Sequence, residues 1–150
     1  MSKLQSYKND FVLLLESGFI AASQTDEDGA KKLFRAAGLL SPQNMMPKVG
    51  YGYIHLLKLE LKQACKVLEE VIKTEPDNQM ARALLGLSTS LTIKDVDKGE
   101  KLLEEAIKNS KDPSIKTMAQ TSIDFVEKYV KKQPTPVQGQ PQTKKKGPKK

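Results

Sequence analysis

Few side chains in this sequence have the types that catalysis or metal binding needs. One histidine, His55, and one cysteine, Cys65, are present, so no His/Cys set can hold zinc. Adjacent carboxylates occur twice, at Glu69/Glu70 and Glu104/Glu105, and would be the candidates for acid–base work. Lys66, Lys73, Lys101 and Lys108 stand three or four residues from them, the spacing of ion pairs on a solvated helix face. No glycine-rich phosphate loop is present. His55 is expected to pack between helices and Cys65 to sit on a helix, so the sequence reads as a non-enzyme with no cofactor or metal.

The elements that would position these residues are helical. The 150 residues include no Trp and many Leu, Ala, Lys and Glu, a composition that favours helix over sheet. A lone cysteine fits a reducing compartment. "FVLLL" (Phe11 to Leu15) is bracketed by Asp10 and Glu16 and is too short for the roughly 7–15 residues of a secretory core. No apolar run approaches the roughly 18 residues of a membrane span. A cytosolic protein is expected.

The net charge of +7 is localised. Seven of the 25 basic residues and none of the 18 acidic ones lie in 131–150, which leaves 18 of each in 1–130. The segment "QPTPVQGQPQTKKKGPKK" (133–150) has one aliphatic residue, Val137, and is expected to be disordered. It is expected to be a solubilising tail, with nucleic-acid or membrane contact not expected of it; the alternative is an electrostatic contact with an acidic partner, nucleic acid or anionic lipid, although no aromatic side chain interleaves its lysines for base stacking.

A repeat organises the rest. "QACKVLEEVIKTEPDN" (63–78) aligns without a gap on "KGEKLLEEAIKNSKDP" (98–113), 35 residues on. Gly18, Gly52 and Gly86 are each 34 apart. Ala30, Ala64 and Gly99 follow, then bulky Phe34, Leu68 and Leu103, then Ala37, Val71 and Ala106. Pro42 and Pro76 close the first two copies. Small residues permit close helix crossing, and proline stops the second helix. Each unit therefore reads as helix A, turn, helix B, loop.

This pattern resembles the tetratricopeptide repeat. The resemblance implies an all-α fold, a right-handed α-solenoid of three repeats (about 11–44, 45–78 and 79–113). A capping helix (about 113–131) would complete a domain spanning 1–132. Two aromatic positions of the repeat depart from it: the fourth holds Leu14, Lys48 and Arg82, and the eleventh holds Ala21, His55 and Thr89. The capping helix is expected to start at Asp112 and Pro113. It should pack through Ile115, Met118, Ala119, Ser122, Val126 and Tyr129, covering the open apolar side of the last repeat. The segment before Phe11, with Leu4 and Tyr7, is expected to extend the first helix.

In the family, positions 2, 5, 9 and 12 of each A helix line a concave groove. Here they are Val12, Leu15, Phe19 and Ala22; Met46, Val49, Tyr53 and Leu56; and Met80, Ala83, Leu87 and Ser90. Eleven are apolar and none is charged. Such a groove suits an amphipathic helix or extended apolar segment rather than a clamped carboxylate. Alternatively these side chains are core.

A short array with an apolar groove and a capping helix is similar to the type III secretion chaperones. "GYGYIHLLKLELKQACKVLEEVIKTEPDNQMARALLG" (50–86) resembles their needle-subunit branch. The resemblance implies a bacterial cytoplasmic chaperone. Its groove would bury the amphipathic helix of the needle subunit, prevent premature polymerisation and release the client at the export apparatus, with a small helical co-chaperone completing the complex. A translocator chaperone of the same system and a general repeat adaptor are the alternative readings.

Overall fold

A computed structural model describes residues 3–132. The basic segment 133–150, with the disorder expected of it, lies outside the described residues, and so does the side chain of Leu4. Among the described residues the fold is all-helical, with seven α-helices: α1 (Lys3–Ser23), α2 (Glu27–Leu40), α3 (Met46–Leu57), α4 (Leu61–Thr74), α5 (Gln79–Ser90), α6 (Val96–Asn109) and α7 (Pro113–Phe125). A 3₁₀ turn, Ile93–Asp95, precedes α6, and a π-helical turn, Val126–Val130, continues α7. Each helix packs on the next, and α1, α3, α5 and α7 also meet in sequence: α1 on α3, α3 on α5, α5 on α7.

One contact recurs within the three pairs α1–α2, α3–α4 and α5–α6. A methyl group on Gly18 would lie 2.6 Å from the Phe34 ring, one on Gly52 2.7 Å from Leu68, and one on Gly86 2.8 Å from Leu103. The 34-residue period thus has a physical cause, since each glycine leaves room for the bulky residue of the following helix. Those three bulky residues are fully buried, as are Ala30, Ala64, Ala37, Val71 and Ala106.

The turns inside the pairs repeat as well. Thr25 and Leu59 occupy the left-handed backbone region, with φ of 68° and 57°. Asp26 N–H donates to Ala21 O and Glu60 N–H to His55 O, both at 2.9 Å. These are the long closing bonds of a Schellman helix end, which needs a left-handed residue just past the helix. The third pair has an inserted residue and uses the 3₁₀ turn instead, with no left-handed residue among those described. Asp26, Asn78 and Asp112 cap α2, α5 and α7, accepting from the Gly29, Ala81 and Ser114 amides at 2.9, 3.0 and 2.8 Å.

The departures at the fourth repeat position become inter-helix ion pairs. Lys48 Nζ is 2.6 Å from Glu70, and Arg82 Nη1 is 2.8 Å from Glu105. In the first pair the matching places hold Leu14 and Ala36, and no charge is needed. This corrects the sequence reading of the paired carboxylates. Glu70 and Glu105 tie each second helix back to the first, rather than pairing with Lys66, Lys73, Lys101 or Lys108 along their own helix.

His55, expected to pack between helices, is partly buried at the end of α3, with a side-chain exposure of 33% and Nδ1 2.6 Å from Glu60 Oε2. Lys58 joins the cluster at 3.1 Å from Glu60 and 3.3 Å from Glu27. The His55 hydrogen bond, then Lys58, holds the Glu60 carboxyl below its usual range. Lys31, then Lys58, lowers Glu27, and Glu60, then Glu27, raises Lys58. Folded-state carboxyls that are depressed contribute stability above the unfolded value, lost as pH falls through the folded one. A thermal midpoint that drops below about pH 4.5 is therefore expected. The drop should be shallower in Glu60→Gln and in high salt, because these groups are exposed and screened.

Along α7 and the π-helical turn that continues it, Ala119, Ser122 and Val126 are buried as the spacing predicts, but Tyr129 is exposed. The π-helical turn widens the spacing after Val126 and rotates Tyr129 out of the packed stripe, where it pairs with Phe125 at 5.0 Å between ring centroids. Lys131 then reaches back to Glu100 on α6 at 2.6 Å and fastens the end of α7.

Candidate functional site

The first helices of the three pairs and α7 together form an open apolar pocket of about 310 Å³. Phe19 and Ile20 come from α1, Tyr53 from α3, Met80 and Leu84 from α5, and Met118 from α7. Phe19 forms one wall because Phe34 supports it edge-on at 5.1 Å, and Tyr53 leans on it at 5.6 Å. Burial pushes the Tyr53 phenol pKa up. No charged side chain lines the pocket. Its chemistry is that of an apolar receptor, able to accept bulky aliphatic or aromatic groups.

The twelve residues expected to face a groove divide. Phe19, Tyr53 and Met80 line this pocket. Leu87 lines a second one. Val12 is exposed on α1, while Leu15 and Met46 are half-buried against the cores of the first and second pairs. The other five are corrections, since they are buried in helix packing. Val49 and Leu56 pack with Leu68, Val71 and Leu84. Ala22 packs with Ala30, Phe34 and Ile54, and Ala83 with Leu103, Ala106 and Ala119. Ser90 is fully buried where α5 meets Gly99, its hydroxyl donating to Gly86 O at 2.8 Å. The core reading is thus right for those five.

Sequence reasoning missed Ile20, Ser23 and Leu84, and placed Met118 only on the capping face. Met80, Leu84, Leu87 and Leu91 recur at i, i+4, i+7 and i+11, a stripe visible in the sequence. What hid its role was the choice of face, because helical spacing alone does not say which side of α5 stays open.

Cys65 Sγ lies 3.8 Å from Thr89 Oγ1, and burial pushes its thiol pKa up. Among the described residues no group of His, Cys, Asp and Glu is placed to hold a metal ion. No helix among them is long and apolar enough to cross a membrane. The sequence matches no protein-family model and no curated protein.

Proposed function

We propose that the chain is a type III secretion chaperone of tetratricopeptide-repeat architecture, acting by binding and not by catalysis. Its client is the amphipathic helix of the needle subunit, which the apolar face of α1, α3, α5 and α7 covers so that the subunit stays monomeric in the bacterial cytoplasm. The observation that carries this reading is the uncharged pocket of Phe19, Ile20, Tyr53, Met80 and Met118, open to solvent and supplied by four helices. The thrice-repeated glycine-to-bulky-residue contact supports the repeat architecture. A patch of this kind is a liability on a free protein, and covering it is a sufficient reason for a complex. A small helical co-chaperone and release at the export apparatus belong to the same reading.

Ile20 makes the cleanest test, because it is 56% exposed and its replacement leaves the core intact. Ile20→Asp and Tyr53→Asp are expected to weaken binding of purified needle subunit at least tenfold by titration calorimetry, with the helical circular-dichroism signal unchanged. Unaltered affinity in both variants would remove the pocket from client binding.

A further inference from the structure

The three helix pairs meet at two joints, and the joints are closed differently. At the second, between the second and third pairs, Leu61 and Leu91 pack on the apolar core that contains Leu56. The places 34 residues earlier hold Ala22, Glu27 and Leu57. These three line a gap of about 100 Å³ at the first joint, together with Thr25, Ile54 and Lys58. Ile54, which matches Ser88, is the larger residue of its pair and still leaves the gap open. Folded interiors leave few voids larger than a water molecule, so such a gap marks the joint that resists separation least.

Charges close this joint at the end where the turns lie. Lys58, after the last turn of α3, reaches Glu27 of the first pair at 3.3 Å and Glu60 of its own pair at 3.1 Å. Lys31 holds Glu27 from within α2, and His55 holds Glu60. Among the described residues, Lys58 makes the only ion pair between the first two helix pairs, and none joins the second pair to the third.

Packing holds the other end. Gly50 lies eight residues before Lys58, about 12 Å away at the helical rise. It leaves room for the Phe34 ring of α2. That ring is 5.9 Å from Tyr51, whose hydroxyl donates to Lys31 O at 3.4 Å. One end of the joint is thus a buried aromatic ring, and the other is a set of exposed charges that salt screens and that are singly weak. Tyr53 stands between the two ends on α3 and faces Phe19 of α1 at 5.6 Å. The first pocket therefore takes one wall from each side of the joint.

We propose that the first joint is a hinge, with Phe34 as its pivot and Lys58 as its latch, and that releasing the latch swings α1 away from α3 and widens the first pocket. No charged side chain lines that pocket, so the latch acts on it only through this movement. The hinge stands on the packing and the ion pairs; its consequence for client binding rests on the role proposed for the first pocket.

Lys32, Lys66 and Lys101 are exposed and occupy matching places on α2, α4 and α6. Nitroxide labels on the full chain, in a Cys65→Ser background, make both joints measurable by double electron–electron resonance. Lys32→Cys with Lys66→Cys reads the first joint, and Lys66→Cys with Lys101→Cys reads the second. Glu16→Cys with Gln120→Cys, both exposed, spans α1 and α7 across the first pocket. Lys58→Met, Glu27→Gln and sodium chloride at about 1 M are each expected to lengthen the first and third distances by about 2 Å or more and to leave the second unchanged. A first-joint distance that none of the three moves, or a second joint that moves equally, overturns the hinge. Movement at the first joint with none between α1 and α7 overturns its link to the pocket. Titration with purified needle subunit separates the hinge from the proposed function. If the hinge moves but Ile20→Asp and Tyr53→Asp leave client affinity unaltered, the hinge stands and that function falls.

Discussion

Gly99→Ala is expected to destabilise the protein by about 3 kcal/mol, at the upper end of overpacking costs. The added methyl group would meet the Ser90 amide nitrogen and lie 2.6 Å from Gly86 O. These are backbone atoms, so no rotamer change relieves the clash, and α5 and α6 must move apart. The matching residues of the first two pairs are Ala30 and Ala64, both fully buried, so those helices already accommodate the methyl group. The third pair is therefore the tightest crossing. Urea unfolding should show a lower midpoint with an unchanged slope. Gly38→Ala is the control. Its methyl group meets nothing within 4 Å, so the gain in helix propensity should stabilise the fold by roughly 0.5–1 kcal/mol. A Gly99→Ala midpoint equal to that of the parent would show that the crossing is looser than drawn.

Phe34→Ala is expected to cost about 4 kcal/mol, in the range for a buried phenylalanine left as a cavity. The ring is fully buried and is enclosed by two glycines, Gly18 and Gly50, from two different helices. It also meets Phe19 and Tyr51 edge-on, at 5.1 and 5.9 Å between centroids. One side chain thus joins α2 to both α1 and α3. The coupling has a distinctive test. In the parent, Gly50→Ala would drive a methyl group into the Phe34 ring at 2.5 Å and should destabilise. In the Phe34→Ala background the same change meets empty space and should become neutral or stabilising. A double-mutant cycle should read an interaction of about 1 kcal/mol or more, and additive effects would contradict the packing. Because Phe34 supports Phe19, the variant should also weaken the client binding proposed for the first pocket.

The helical class, the helix pairs and their period were legible from the sequence because each rests on local rules. Gly18, Gly52 and Gly86 recur with Phe34, Leu68 and Leu103 because a helix crossing demands a small residue opposite a large one, and that demand is written at fixed spacing. Asp112 and Pro113 marked the start of α7 for an equally local reason. Tertiary structure alone decided which apolar residues stay open. Val49 and Tyr53 lie four residues apart on the same face of α3, yet Val49 is fully buried and Tyr53 lines the pocket. The difference depends on where α4 and α5 pack against α3, which no spacing within α3 contains. The same holds for the partners of Lys48 and Arg82, found on the facing helix and not along their own. It holds for Leu59 as well. A leucine in a turn reads as unremarkable until the fold shows it in a left-handed conformation, exposed, on the wall of a pocket shared with α5 and α7. Periodicity reports which face of a helix is apolar. Only the assembled neighbours determine how much of that face is left uncovered, and here the uncovered part is the candidate binding site.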